Sequence, residues 1–138
     1  MQIDFYLLPD SDETSRLLYA CRLTAKAWRA GHRLYLNCRD AQQCEAMDEL
    51  LWSFSATHFV PHQRAQVGLD APIVLAHGED AGGQQDFLLN LNAQVPPFFA
   101  RFSRVAEVVN QQADVKAALR ESYRFYCQHG YQPRHLSV

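Results

Sequence analysis

Lys116, Arg120, Tyr123 and Cys127 follow one another at steps of 4, 3 and 4 residues, with Arg124 beside them. On an α-helix that spacing stacks the side chains along one face. A guanidinium grips a carboxylate or phosphate through a planar fork, and a phenol ring next to it offers an apolar surface. With Val109 close by in sequence, the stripe fits an anchor for an acidic or carboxylate-bearing ligand. It also fits a groove in which rings stack nucleic-acid bases, and equally an ordinary solvated helix face.

A second group is aromatic. Leu50-Leu51-Trp52-Ser53-Phe54 leads into Phe59-Val60-Pro61-His62, at a helix end and in an irregular stretch. Core packing accounts for at least one of these rings. A Trp and a Phe exposed together would instead mark a protein–protein anchor, because aromatics dominate such hot spots.

Other chemistries find no support. The glycines at 31, 68, 78, 82, 83 and 130 make neither GxGxxG nor GxxxxGK[ST]. The turn after the first apolar run, Leu8-Pro9-Asp10-Ser11, is acidic where a pyrophosphate needs open N–H groups. His58 and His62 have HxxxH spacing, but Pro61 disfavours the helix that would place both on one face, and the Glu of HExxH is missing. No GxSxG elbow occurs. No catalytic residue, metal ligand or cofactor is therefore expected.

Charge sharpens the first stripe. The 138 residues carry a formal net charge of −2, which gives little reason to expect a long phosphate backbone as partner, since that usually needs a wider positive field. The charge is nevertheless polarised, at −5 over residues 1–90 and +3 over residues 91–138. Of the 13 basic residues only Lys26 and Lys116 are lysine. Arginine is the side chain suited to bidentate recognition.

Elements that position these groups follow from periodicity. Residues 3–8 and 33–38 make apolar, β-rich runs, and 73–76, 87–91 and 104–109 repeat the pattern. Asp10-Ser11-Asp12-Glu13 has the form of a capping box, with Asp10 as acceptor, opening a helix over residues 11–30. Leu17, Cys21, Thr24, Ala25 and Trp28 give that helix its apolar face, while Arg22, Lys26 and Arg29 lie outside. Asp40-Ala41-Gln42-Gln43 repeats the cap ahead of Cys44, Met47 and Leu51. Pro96-Pro97 starts a short helical turn, and residues 114–128 form the last helix, stopped by Gly130. On that helix Val115, Leu119, Ser122 and Tyr126 face the core.

Alternating β and α elements predict one α/β domain over residues 1–138, with about five mostly parallel strands and crossover helices. With 48% hydrophobic residues the chain has enough apolar surface for a core. No apolar run approaches the roughly 20 residues of a membrane span, and no signal peptide is expected. The four cysteines, without a CxxC pair, fit reduced thiols in a cytoplasmic protein.

Several short segments resemble the chi subunit family of bacterial DNA polymerase III, an accessory component of the clamp-loader complex. They are Phe5-Tyr6-Leu7-Leu8, Ala27-Trp28-Arg29-Ala30-Gly31-His32-Arg33, Asp48-Glu49-Leu50-Leu51-Trp52 with Phe59-Val60-Pro61-His62, and Arg120-Glu121-Ser122-Tyr123-Arg124 with Tyr126 and Gly130-Tyr131. They run in the family's order over nearly the whole length. Residues 63–72, 78–85 and the tail after Tyr131 depart from the family pattern.

The resemblance implies a non-catalytic adaptor with a three-layer Rossmann-like fold and no nucleotide-binding loop. It implies two partners and only indirect contact with DNA. One is the psi subunit, bound 1:1 and linking the chain to the clamp loader, with Trp52 and Phe59 at the interface. The other is the acidic C-terminal tail of single-stranded-DNA-binding protein, which ends in Pro-Phe and a free carboxylate. Val109, Lys116, Arg120 and Tyr123 match the family residues for that tail, and Arg124 adds charge. The rival readings are a weak direct binder of single-stranded nucleic acid and a nucleotide-dependent α/β enzyme with an unrecognised site.

Overall fold

The computed structural model describes residues 1–54, 61–64, 71–77 and 84–138, with Gln63 and Arg64 as backbone only. The strands are β1 (Gln2–Leu7), β2 (Leu34–Asn37), β3 (Gln63–Arg64), β4 (Ile73–Ala76), β5 (Phe87–Asn90), β6 (Arg104–Val109) and β7 (Arg134–Ser137). The helices are α1 (Glu13–Arg29), α2 (Ala41–Ser53) and α3 (Ala113–Gln128), with a 3-10 turn at Phe99–Arg101. All strands run parallel in one open sheet of order β3-β4-β2-β5-β6-β1-β7. Among the described residues six strands have four or more residues and β3 is a two-residue edge, against about five expected. The unforeseen full-length strand is β7, drawn from the tail.

Successive side chains of a strand point to opposite faces, and the core divides accordingly. Leu34 and Leu36 of β2, Ile73 and Leu75 of β4, and Ala106 and Val108 of β6 join Cys21, Met47 and Leu51 of α1 and α2 in one cluster. Tyr35, Leu88, Val105 and Val109 join Tyr126 of α3 and Phe98, Phe99 and Phe102 in the other. The α1 and α2 layer therefore covers one face, and α3 covers the opposite face. The alternation of elements predicts the parallel sheet with crossover helices, and the three layers are those that the family resemblance implies.

Local corrections are small and have clear causes. The N-cap of α1 is Asp12 rather than Asp10: its carboxylate accepts from the Thr14 and Ser15 N–H groups at 3.4 and 3.3 Å. Asp10 is engaged elsewhere, its carbonyl accepting from the Gln111 N–H at 2.8 Å, and Glu13 turns to Arg16 at 2.7 Å. At α2, Asp40 caps as expected, accepting from the Gln43 N–H at 2.8 Å. Three cysteines are buried, and only Cys127 is exposed; none is in a disulfide. Burial pushes the Cys21 thiol up to about 12, which makes it an inert core group.

Open parallel sheets bind ligands at the carboxyl ends of strands whose connections leave toward opposite faces. Here that point lies between β1 and β6, and the chain's own groups occupy it. Gln111 Nε2 donates to the Leu8 carbonyl and Gln112 Nε2 to the Ser11 carbonyl, both at 2.8 Å. Just beside them the buried Arg16 donates to the carbonyls of Val108 and Leu91 at 2.8 and 3.1 Å. The crevice is stitched together, in keeping with the missing phosphate loop.

Candidate functional site

The basic stripe lies on α3, the helix over the β1 and β7 side of the sheet. Ser122 and Tyr126 are buried beneath it, and Val115 and Leu119 pack on the core, as their spacing predicts. A buried polar chain anchors the helix. The Tyr126 hydroxyl donates to Glu107 Oε2 on β6 at 2.8 Å. The same oxygen accepts from Asn90 Nδ2 at 3.0 Å, and Asn90 Oδ1 accepts from Asn37 at 2.9 Å. Burial pushes Glu107 up to about 7, against the opposing pull of the Asn90 and Tyr126 bonds and the Arg16 charge.

On the outer side, Leu119, Arg120, Tyr123, Arg124 and Cys127 of α3 and His135 of β7 line a groove of about 500 Å³. Tyr123 is 38% exposed, and its ring is held rather than free. Its centroid lies 5.0 Å from that of His135 and 6.2 Å from that of Phe5, while His135 stacks on Phe5 at 5.4 Å. Arg124 pairs with Glu121 at 2.9 Å on the exposed helix surface. Among the described residues no carboxylate pairs with Arg120 or Lys116. The groove thus combines an apolar, aromatic wall with cationic charge left available to a ligand.

Arg120, Tyr123 and Arg124 converge here, whereas Val109 and Lys116 are not lining residues. Val109 is 5% exposed, facing α3 at the end of β6 within the same cluster as Leu119. It belongs to the core against which Leu119 packs, not to the groove surface. Lys116 sits one turn before Arg120 on the same stripe, half-buried. Sequence reasoning missed His135, because Arg134-His135-Leu136-Ser137 is too short and too polar to announce a strand. It also assigned Leu119 to the core alone.

β7 is fixed by a buried charge. Asp4 on β1 is fully buried and accepts from Arg134 Nε and Nη2 at 2.7 and 3.2 Å, from Arg104 at 3.4 Å and from Gln2 at 2.7 Å. Burial alone would raise its pKa, but the bonds from Arg134 and Gln2 and the two guanidinium charges hold it below the ordinary value. Two of the basic residues of the C-terminal third are therefore structural.

The aromatic patch lies on the opposite face of the sheet. Trp52, in the last turn of α2, is 58% exposed. The His62 ring lies 4.9 Å from it, and His62 Nε2 is 3.0 Å from Asp48 Oδ1. Asp48 and Trp52 are one helical turn apart, so the pair supports a tryptophan presented to solvent. Phe54 packs against the core. Phe59 lies outside the described residues.

Among the described residues no three His, Cys, Asp or Glu side chains gather as a metal site, and no helix is long and apolar enough to cross a membrane. The sequence model of the family described as DNA polymerase III chi subunit, HolC, matches residues 1–134. That match takes in residues 132–134 of the tail, which the short segments quoted above do not reach. The chain is 43% identical to DNA polymerase III subunit chi of Pseudomonas aeruginosa over 130 residues, 94% of this chain and 92% of the relative. It is 34% identical to the subunit of that name in Escherichia coli, over 88% of each chain. The Haemophilus influenzae subunit is 28% identical over 87% of this chain and 85% of the relative.

Proposed function

The chain belongs to the DNA polymerase III chi subunit family, an accessory rather than a catalytic component, and from that premise we propose that it is a two-faced cytoplasmic adaptor. The α3 groove binds the acidic C-terminal tail of single-stranded-DNA-binding protein. The α2 face, around Trp52 and Phe59, binds the psi subunit and through it the clamp loader. The polymerase is thereby tethered to coated template, and DNA is reached only through the protein that covers it.

One observation supports the groove above the others: Arg120, which has no carboxylate partner among the described residues, stands beside an apolar wall made by Leu119, Tyr123 and His135. A C-terminal phenylalanine has the matching pair of groups, a ring and a carboxylate on one residue. Burying the ring contributes on the order of 1.5–3 kcal/mol. Arg120, with Arg124 or Lys116, holds the carboxylate, and upstream acids meet the remaining surface charge at about 0.2–1 kcal/mol each. After the ordering cost of a flexible tail, the sum is about −8 kcal/mol, or micromolar affinity that weakens with salt.

The test is calorimetric titration of an acidic peptide ending in Pro-Phe. Arg120→Ala and amidation of the peptide C-terminus should each weaken binding about tenfold or more. The two together should cost little more than either alone, because they remove the same contact. Undiminished binding by the Arg120→Ala variant, or by the amidated peptide, would sink the assignment.

Because α2 and α3 lie on opposite faces, both partners fit at once. Trp52→Ala should abolish or strongly reduce co-purification of psi while leaving thermal stability nearly unchanged, since the ring is mostly in solvent. Peptide binding to the groove should be unaffected. Full retention of psi by the folded variant would move that interface elsewhere.

A further inference from the structure

The groove has a second wall whose backbone is unused. β7 is an edge strand, paired on one side only, with β1. The Val138 N–H donates to the Leu7 carbonyl at 3.0 Å, so Leu136 and Arg134 also direct their backbone groups toward β1. Residues of a strand alternate in this respect. The N–H and C=O groups of His135 and Ser137 therefore point outward, and among the described residues nothing pairs with them. An open edge of this kind is a template for another extended chain.

Side-chain placement puts that edge beside the cationic groove. Arg134 faces away, locked on Asp4, and Leu136 packs against the α1 and α2 core. His135 points to the α3 side, where its ring lines the groove next to Tyr123. A peptide whose terminal ring enters the groove must leave along one margin or another. The β7 margin offers two outward N–H donors and two carbonyls at strand spacing.

We infer that β7 is part of the docking site: the residues preceding the ligand's C-terminus add to the outer edge of β7 as a short strand, hydrogen-bonded to the backbone of His135 and Ser137. The occupant is the acidic, carboxylate-terminated peptide proposed above, and the inference rests on that reading. Arg120 and Arg124 supply the charge complementarity. Main-chain pairing supplies direction and register, as in other cases of strand addition.

Two measurements test it. In the first, the peptide is N-methylated at one backbone position at a time and titrated into the unaltered protein. Affinity should fall about three- to tenfold at alternate positions and little between them, the period-two signature of strand pairing. In the second, Ser137→Pro removes an outward donor from a position where edge strands tolerate proline, and Ser137→Ala serves as control. The proline variant should bind about three- to tenfold more weakly, and the alanine variant should match the wild type.

Uniform tolerance of N-methylation overturns the inference, as does equal binding by the Ser137→Pro and Ser137→Ala variants when both melt like the wild type. If the unmodified peptide binds with Arg120 dependence in those same experiments, the groove assignment stands and only strand addition fails. If the unmodified peptide does not bind, both fall.

Discussion

An Asp4→Ala variant is expected to lose about 2–3 kcal/mol of stability at neutral pH and to weaken ligand binding in the α3 groove, although Asp4 does not line the groove. Removing one partner of a buried ion pair usually costs about 3–5 kcal/mol, because the other charge is left without compensation. Here the Arg104 and Arg134 side chains are 32% and 57% exposed, so both regain some water and the loss falls below that range. The damage should concentrate on β7, which Arg134 ties to β1 and which delivers His135 to the groove.

Acid gives the same test a sign. The Asp4 carboxyl is held below its ordinary value in the folded state. Its contribution is therefore complete above the unfolded value of 3.8 and is lost as pH falls through the lowered folded value. Urea unfolding at pH 7 and at a series of strongly acid pH values follows that loss. The gap between wild type and Asp4→Ala should be large at pH 7 and should narrow in strong acid. Asp4→Asn, which keeps the shape, separates charge from packing. An unchanged urea midpoint at pH 7 would refute the clamp.

Glu107 has the opposite sign. Its carboxyl is raised in the folded state from 4.5 to about 7, so its protonated form favours folding below about pH 4.5. That advantage is lost as pH rises toward and through about 7. Above that window the folded protein bears the full cost of a buried carboxylate, at most about 3 kcal/mol by linkage. Glu107→Gln keeps an oxygen to accept from Tyr126 and Asn90 while removing the charge. The variant should gain stability relative to wild type progressively between pH 4.5 and 7, then level off. Denaturant midpoints at pH 5 and pH 8 decide it, and a difference that does not change with pH would contradict the role assigned to burial.

Much of the site was legible in the residues. The steps from Lys116 through Arg120 and Tyr123 to Cys127 report a helix face directly, and that face is exposed from Arg120 onward, with Lys116 half-buried. The caps of α1 and α2 were legible to within two residues, because an Asp side chain meets N–H groups only two or three positions along the chain. The turn after β1 is acidic and holds no glycine, and only the structure shows that Gln111 and Gln112 bond to its carbonyls. Val109 was legible as a neighbour of α3 but not as a buried one: its position on β6 turns it into the cluster against which Leu119 packs.

What the sequence by itself determined is whatever depends on neighbours within a turn or two of the chain. That includes the α/β alternation, the inner and outer faces of α3, and the excess of arginine in the last third. Tertiary structure alone decided the strand order, the conversion of the tail into β7, the arrival of His135 beside Tyr123, and the placement of Trp52 and the groove on opposite faces. The physical reason is distance along the chain. Asp4 and Arg134 are separated by 130 positions, and no local periodicity encodes their meeting. Yet that pair, buried only at its Asp4 end, fixes the strand whose side chain and free edge complete the groove.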